Sequence, residues 1–434
     1  MSTVRQVTTT RLGRMAQLGQ LVGGIAGGAM SEGAKRLARG QRPSVGDLLL
    51  TSSNVEKLTT RLSEMRGAAM KVGQLLSMDS GQLLPPQLSE VLARLREDAH
   101  QMPLGQVAQV LKQAWGDGWE SNFKRFFFTP IAAASIGQVH EALLQDGQRL
   151  AIKVQYPGIR RSIDSDVDNV AALLSLFKLL PEELDFDPLL QEAKQQLQVE
   201  TDYCQEAAAL GRYQGHLVDD DRFLLPQVIE SLSTSEVLAM TYLDGDPIES
   251  LEEQPAMKRN AAASTLLELA MREVFDWGLV QTDPNFANYQ YLPGSGKLAL
   301  LDFGATRSYS KARQASLLNL LRAITGGEDG DITQSAVQVG YLGESDPREY
   351  REFVLRLLHM VGEPLTARQS YDFARTDLAS RMSDTLIELR LRSRYGRIPP
   401  PDILFLHRKL GGIFLLLSRL QARIDARALV TPYL

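Results

Sequence analysis

Cysteine is almost absent from this chain. Cys204 is the single thiol among 434 residues, so no intrachain disulfide framework can form, which suits a reducing compartment. Histidine is also sparse. The five (His100, His140, His216, His359, His407) are scattered without zinc-ligand spacing, which argues against a structural or catalytic zinc. No run is long and apolar enough to read as a membrane span. The nearest, Met15 to Ser31, carries Gln17 and Gln20 and is interrupted by Gly23, Gly24, Gly27 and Gly28. It also lies too far into the chain, behind too polar a start, for a secretory signal. Excess positive charge is missing too: the net charge is -5, which gives no basis for nucleic-acid binding.

What is present is ordinary globular composition, 44% hydrophobic and 23% charged, at a length that allows two or three packed units. Residues 1–45 are basic and glycine-interrupted, and read as an amphipathic or flexible surface segment. Residues 46–123 read as a helical extension, with Val55, Leu58, Leu62 and Met65 at helical spacing. The texture changes at Lys124. An aromatic strand, then two apolar runs joined by Asp146-Gly147, open a segment assigned to 124–245. One helical stretch is expected from Asp187 to Leu217 inside it, then short strands near 224–229 and 236–242. Residues 246–434 read as mostly helical, interrupted near 280–304.

That interruption holds the chemistry. Gln281-Thr-Asp283-Pro-Asn-Phe-Ala-Asn288 is followed, one hairpin later, by Asp302-Phe303-Gly304. An Asp-x-x-x-x-Asn loop before Asp-Phe-Gly is the kinase catalytic-loop and metal-binding order. Magnesium is a hard cation that prefers oxygen donors, so Asp302 and Asn288 suit it. Asp283 is the candidate to orient, or take a proton from, an attacking hydroxyl or water. Upstream, Lys153 lies within the apolar run Leu150–Val154, where a lysine needs an anionic partner. The partner is sought in Glu200, Asp202 and Glu206, which an exposed acidic face would explain equally well. Where a kinase carries several glycines, this chain has Ala132, Ala133, Ala134, Ser135, Ile136 and Gly137. Side-chain methyls restrict how closely such a backbone approaches phosphates. Beyond Gly304 no Ala-Pro-Glu follows, so the platform for a protein substrate is not expected.

This set of motifs resembles the UbiB/AarF family of atypical protein-kinase-like proteins. Lys71-Val-Gly-Gln74 looks like that family's Lys-x-Gly-Gln motif, and the alanine-rich loop, Glu200-x-Asp202 and Gln281–Asn288 match as well. The resemblance implies an α+β, two-lobed protein-kinase-like fold with an N-terminal helical extension. It implies Lys71 and Gln74 over the active site, Lys71 near Glu200 and Asp202, and Glu206 as partner of Lys153. Met240 and Tyr242 join the nucleotide-binding set. The implied cofactors are ATP and Mg2+. The implied role is an ATPase supporting ubiquinone or other prenyl-lipid metabolism, cytoplasmic and peripheral to the inner membrane. A lipid or quinone precursor and quinone-biosynthesis enzymes are the implied partners. Two alternatives stay open: a small-molecule or lipid kinase, and a non-catalytic module stabilised by ATP. If the alanine-rich loop faces nucleotide, replacing Ala132–Ala134 with glycine changes nucleotide affinity or preference in a binding titration; identical binding removes the loop from the site.

Overall fold

The computed structural model describes residues 52–65, 67–73, 102–177, 187–392, 397 and 399–434. Gln74 and the Met15–Ser31 segment lie outside them. The chain divides into two compact units, one of Met1–Gln205 with Gln227–Tyr242, the other of Glu206–Pro226 with Leu243–Leu434. Among the described residues, no helix is long and apolar enough to cross a membrane.

The first unit is built on an antiparallel sheet in the order β1-β2-β3-β5. β1 is Phe123–Ala133, β2 Gly137–Leu144, β3 Arg149–Gln155 and β5 Val237–Thr241. The Asp146-Gly147 turn closes the β2–β3 hairpin, with Gly147 N–H donating to the Leu144 carbonyl at 3.0 Å. One face of the sheet packs against the helix Leu104–Trp115: Val107, Val110 and Leu111 share a core with Leu150, Ile152 and Val154. That helix was assigned to the 46–123 extension, yet it closes the sheet's own core, so 123 is not a packing boundary. Trp115 fastens it further, its Nε1–H donating to the Leu232 carbonyl at 2.9 Å. Beneath β1 and β2, His140 is fully buried, its Nδ1 2.9 Å from the Phe127 carbonyl and its Nε2 2.8 Å from Gln138 Nε2. Burial lowers its pKa, against the Phe127 bond, so the ring is neutral with Nδ1–H as donor.

The single helix expected over 187–217 is two: Asp187–Glu200 and Tyr203–His216. The break follows from local chemistry. Asp202 takes the Cys204 N–H on its side chain at 3.1 Å, an N-cap that an aspartate provides better than a helix interior. From Glu206 to Pro226 the chain belongs to the second unit, although sequence reading placed it within 124–245. Tyr213 packs on Phe303 at 4.8 Å, and β4 (Phe223–Leu224) pairs in parallel with Leu298 and Ala299, which hold it there.

The second unit is mostly helical. Its long helices include Ala256–Met271, Lys311–Gly326, Asp329–Val339, Arg348–Thr366 and Pro401–Arg419. Val280, Leu317, Ile332, Val339 and Ile403 are among the residues of a core shared by the last four of these helices. A sheet of order β4-β9-β8-β6 sits beside them, with β6 Asp246–Pro247, β8 Tyr289–Leu292 and β9 Lys297–Leu300. β7 (Leu279–Gln281) pairs with β10 (Thr306–Ser308), which leads directly into the Lys311–Gly326 helix. Nothing the length of an activation loop separates Gly304 from that helix.

Gly137 stands where β2 meets β3 most tightly. A Cβ there would lie 2.2 Å from the Val154 carbonyl oxygen, and backbone cannot swing aside as a side chain can. Gly137→Ala is expected to lower the thermal midpoint by about 5 °C or more, whereas Gly105→Ala, where nothing lies within 4 Å, leaves it unchanged or raised. Melting curves of the two variants against the parent check this.

Candidate active site

In the second unit the β8–β9 hairpin sets the geometry. Tyr289 pairs with Leu300, and Leu301 N–H donates to the Asn288 carbonyl at 3.0 Å. The register therefore brings Asn288 and the start of Asp302-Phe303-Gly304 to the same end of the hairpin. Asn288 ends a short 3-10 turn, Phe286–Asn288, capped by the Asn285 side chain, which accepts from Ala287 N–H at 3.1 Å. Its Nδ2 donates to the Asp283 carbonyl at 3.1 Å and lies 3.5 Å from Asp283 Oδ2. The amide nitrogen is thereby engaged, and the side-chain oxygen is the atom of Asn288 suited to a cation.

Asp302 is oriented by its own turn. Its Oδ1 accepts from Gly304 N–H at 2.9 Å, and its backbone carbonyl accepts from Gln281 Nε2 at 3.2 Å. Thr282, fully buried, donates through both its hydroxyl and its N–H to the Ala305 carbonyl, at 2.7 and 3.1 Å. The Asp283–Asn288 loop and the Asp-Phe-Gly turn are thus tied together by backbone acceptors. Glu206 reaches the same turn, accepting from Phe303 N–H on Oε1 at 3.4 Å.

A buried polar network supports this loop from behind. Tyr213 accepts from Gln281 N–H at 2.7 Å and donates to Glu273 Oε1 at 2.8 Å. Burial first, and then the Glu273 charge, push its phenol well above the ordinary tyrosine value, so it remains a donor. Glu273 is paired with Lys409 at 2.8 Å, both side chains 1% exposed. Burial opposes the Lys409 charge, but the Glu273 carboxylate outweighs it and the lysine pKa is raised. Arg408, the neighbouring residue, donates through Nη2 to Asp283 Oδ1. Sequence reading missed Arg408 and Lys409. The available signal was a Arg-Lys pair inside an otherwise apolar helical run, where charge demands a partner.

The first unit carries the remaining residues that the sequence singles out. Lys153 is 5% exposed on β3, with Val139 and Leu238 as its neighbours across the sheet. β3 is an interior strand, so Lys153 is no solvent-facing edge lysine. The alanine-rich segment is the end of β1 and the tight turn into β2, where Ala134 N–H donates to the Gly137 carbonyl at 2.9 Å. Ser135 Oγ donates to Glu200 Oε2 at 3.3 Å, and Lys71 Nζ pairs with Glu200 Oε1, both side chains of the pair buried. Glu200 therefore links the helix at 67–73 to the alanine turn. Asp202 caps a helix and does not share a regular helix face with Glu206. Met240 is buried on β5 opposite Ala151, and Tyr242 stacks beneath the Arg149 guanidinium at 4.0 Å.

A family of ABC1 atypical kinase-like domains matches residues 94–336. The chain belongs to that family. This ABC1-family chain is 38% identical over 427 residues to the mitochondrial atypical kinase COQ8B of Rattus norvegicus, covering 98% of itself and 80% of that protein. It is 35% identical over 432 residues to the mitochondrial atypical kinase coq-8 of Caenorhabditis elegans, spanning 98% of itself but 57% of that protein's length. It is 35% identical over 426 residues to the mitochondrial atypical kinase COQ8 of Saccharomyces cerevisiae, covering 98% and 84%. Among solved structures, the Rv3197–erythromycin complex from Mycobacterium tuberculosis has a TM-score of 0.58 at 24% identity, over 87% of this chain and 95% of that one. The ABC1-family chain has the α+β kinase-like fold that its motifs imply.

The helix that supplies Arg408 and Lys409 also carries the half-buried His407, which stacks on Tyr341 and shares a hydrogen bond with its hydroxyl. Burial lowers the His407 pKa to about 4. An unfolded histidine titrates near 6.5, so between these values the unfolded chain binds a proton that the folded chain refuses. Stability from this site is complete above about pH 6.5 and is lost as pH falls toward 4. The stability advantage of wild type over His407→Gln should shrink by about 2 kcal/mol between pH 7 and pH 4.5. Denaturant titrations at both pH values measure it; a constant advantage means the folded chain accepts the proton.

Proposed function

We propose that this chain binds Mg-ATP and hydrolyses it in support of ubiquinone or other prenyl-lipid metabolism, next to a membrane. The observation that carries the reading is the hairpin register, which brings Asn288 and Asp302 to one end of β8–β9 with Asp283 beside Asn288. The donor set fits magnesium. It is one carboxylate and one amide oxygen, few enough to leave positions for phosphate oxygens and water. Among the described residues, no group of three or more His, Cys, Asp or Glu is placed to hold a metal without such help. When bound, magnesium supplies charge neutralisation on the phosphates.

Lys153 and the alanine turn are assigned to the phosphates, with Met240 and Tyr242 on the nucleotide side. Asp283 orients the attacking water, and positioning supplies much of the rate in phosphoryl transfer. Glu206 keeps the role that the family resemblance implies, partner of Lys153. Lys71, Gln74, Glu200 and Asp202 are assigned to a regulatory element. The Lys71–Glu200 pair supports it, since removing one member of a buried pair strands the other charge. The quinone role and the membrane setting rest on family likeness, and the relatives' names support the kinase-like part of it.

A small-molecule kinase is the second reading, since Asp283 could orient an acceptor hydroxyl as well as a water.

Phosphate release from ATP is the test, measured with and without anionic liposomes and a phenol resembling a quinone precursor. Release that liposomes or the phenol stimulate, and that Asp302→Asn abolishes, is expected. Asp302→Asn should also lose thermal stabilisation by Mg-ATP. Unchanged stabilisation in that variant removes Asp302 from the metal site, and phosphorylated phenol in place of free phosphate selects the second reading.

A further inference from the structure

The catalytic loop of this chain is gripped by a helix far downstream of it. Pro401–Arg419 lies beyond the 94–336 span that the family match covers. Phe405, Arg408, Lys409 and Gly412 fall at i, i+3, i+4 and i+7, one face of a helix. Each of the four meets an element of the site. The Arg307 guanidinium, on β10, lies 3.7 Å over the Phe405 ring. Arg408 Nη2 donates to Asp283 Oδ1. Lys409 pairs with Glu273 at 2.8 Å and lies 3.4 Å from the Tyr289 hydroxyl. Gly412 lets Pro284 pack directly on the helix: a Cβ at 412 would stand 2.1 Å from Pro284 Cβ and 2.4 Å from its Cγ.

We propose that Arg408 is the positioning residue for Asp283, and that the Pro401–Arg419 helix fixes where that carboxylate points. The two carboxylate oxygens have different surroundings. Oδ1 is held by Arg408, while Oδ2 faces Asn288 Nδ2 at 3.5 Å. The arginine is restrained, with its side chain 12% exposed against 26% for Asp283. Its Nη1 is buried without a hydrogen-bond partner among the described residues, and the ion pair that the guanidinium makes there is with Asp283. A guanidinium does not deprotonate in the working pH range, so Oδ1 stays occupied and Oδ2 is the oxygen left for an attacking water or hydroxyl. Anchors on either side keep the helix in register with the loop: the buried Lys409–Glu273 pair one residue on, and the Gly412–Pro284 contact one turn on.

This role rests on the Mg-ATP reading, and the test separates the two. The full chain is compared with Arg408→Met, which keeps the packed stem but removes the charge, and with Arg408→Lys, which keeps the charge but loses the fork. Arg408→Met should lower kcat for phosphate release about 100-fold, the scale of a misplaced reacting group, with Mg-ATP affinity changed less than about threefold. Arg408→Lys should recover part of kcat. The pair itself is read without turnover: Arg408→Met should lower the melting temperature in the parent and by much less in an Asp283→Asn background. Equal losses in both backgrounds, or a kcat unchanged in Arg408→Met, overturn the proposal. So does a parallel collapse of nucleotide affinity and kcat, which marks a structural residue only. Thermal coupling in a parent that turns over no nucleotide with any acceptor discards the Mg-ATP reading and, with it, the positioning role.

Discussion

A lysine ammonium and a glutamate carboxylate, each 1% exposed, sit 2.8 Å apart behind the candidate catalytic loop. Removing either partner of such a pair costs about 3–5 kcal/mol, because the survivor is left charged in an apolar interior. The rest of the second unit's site depends on this pair being intact. Glu273 occupies Tyr213, Tyr213 receives the Gln281 N–H, and Gln281 reaches on to the Asp302 carbonyl. On the other side Lys409 fixes the register of the helix that carries Arg408 to Asp283. A pair like this contributes little net stability against an apolar substitute. What it contributes here is direction, since each of its hydrogen bonds points into a different element of the site.

The first unit uses the same device nearer its surface. Glu200 closes the Asp187–Glu200 helix and accepts from both Lys71 and Ser135. A single carboxylate thereby ties the helix at 67–73 to the turn between β1 and β2. That turn has methyl groups where a glycine-rich loop would have none, and it is held by a side chain instead of being free to close over a ligand. The alanines and Glu200 are two parts of one arrangement, a stiffened turn with an ionic strap.

Much of the candidate site was legible in order and type. Asp283, Asn288 and Asp302 could be named from the chain because their spacing is local: a loop, one hairpin, and a turn. The same holds for Lys153, a lone charge in an apolar strand, and for the Asp146-Gly147 turn. Helix boundaries were less legible. Asp202 has the right side chain for a cap, yet the apolar pattern on both sides runs through it, so periodicity alone merged two helices into one. The 206–226 segment was assigned to the wrong unit for a related reason. Its attachment is made by Tyr213, Phe223 and Leu224 to residues some distance along the chain, and no local pattern records such a contact.

The sequence by itself determined which oxygen donors and which lysine are candidates, and in what order, because those depend on residue identity and short spacing. Only the tertiary structure decided what holds them. Arg408 and Asp283 are 125 residues apart, and Lys71 and Glu200 are 129 apart. Over such separations a charge's partner is chosen by how helices pack, and a buried ion pair leaves no trace in the sequence beyond a charge where the pattern calls for none.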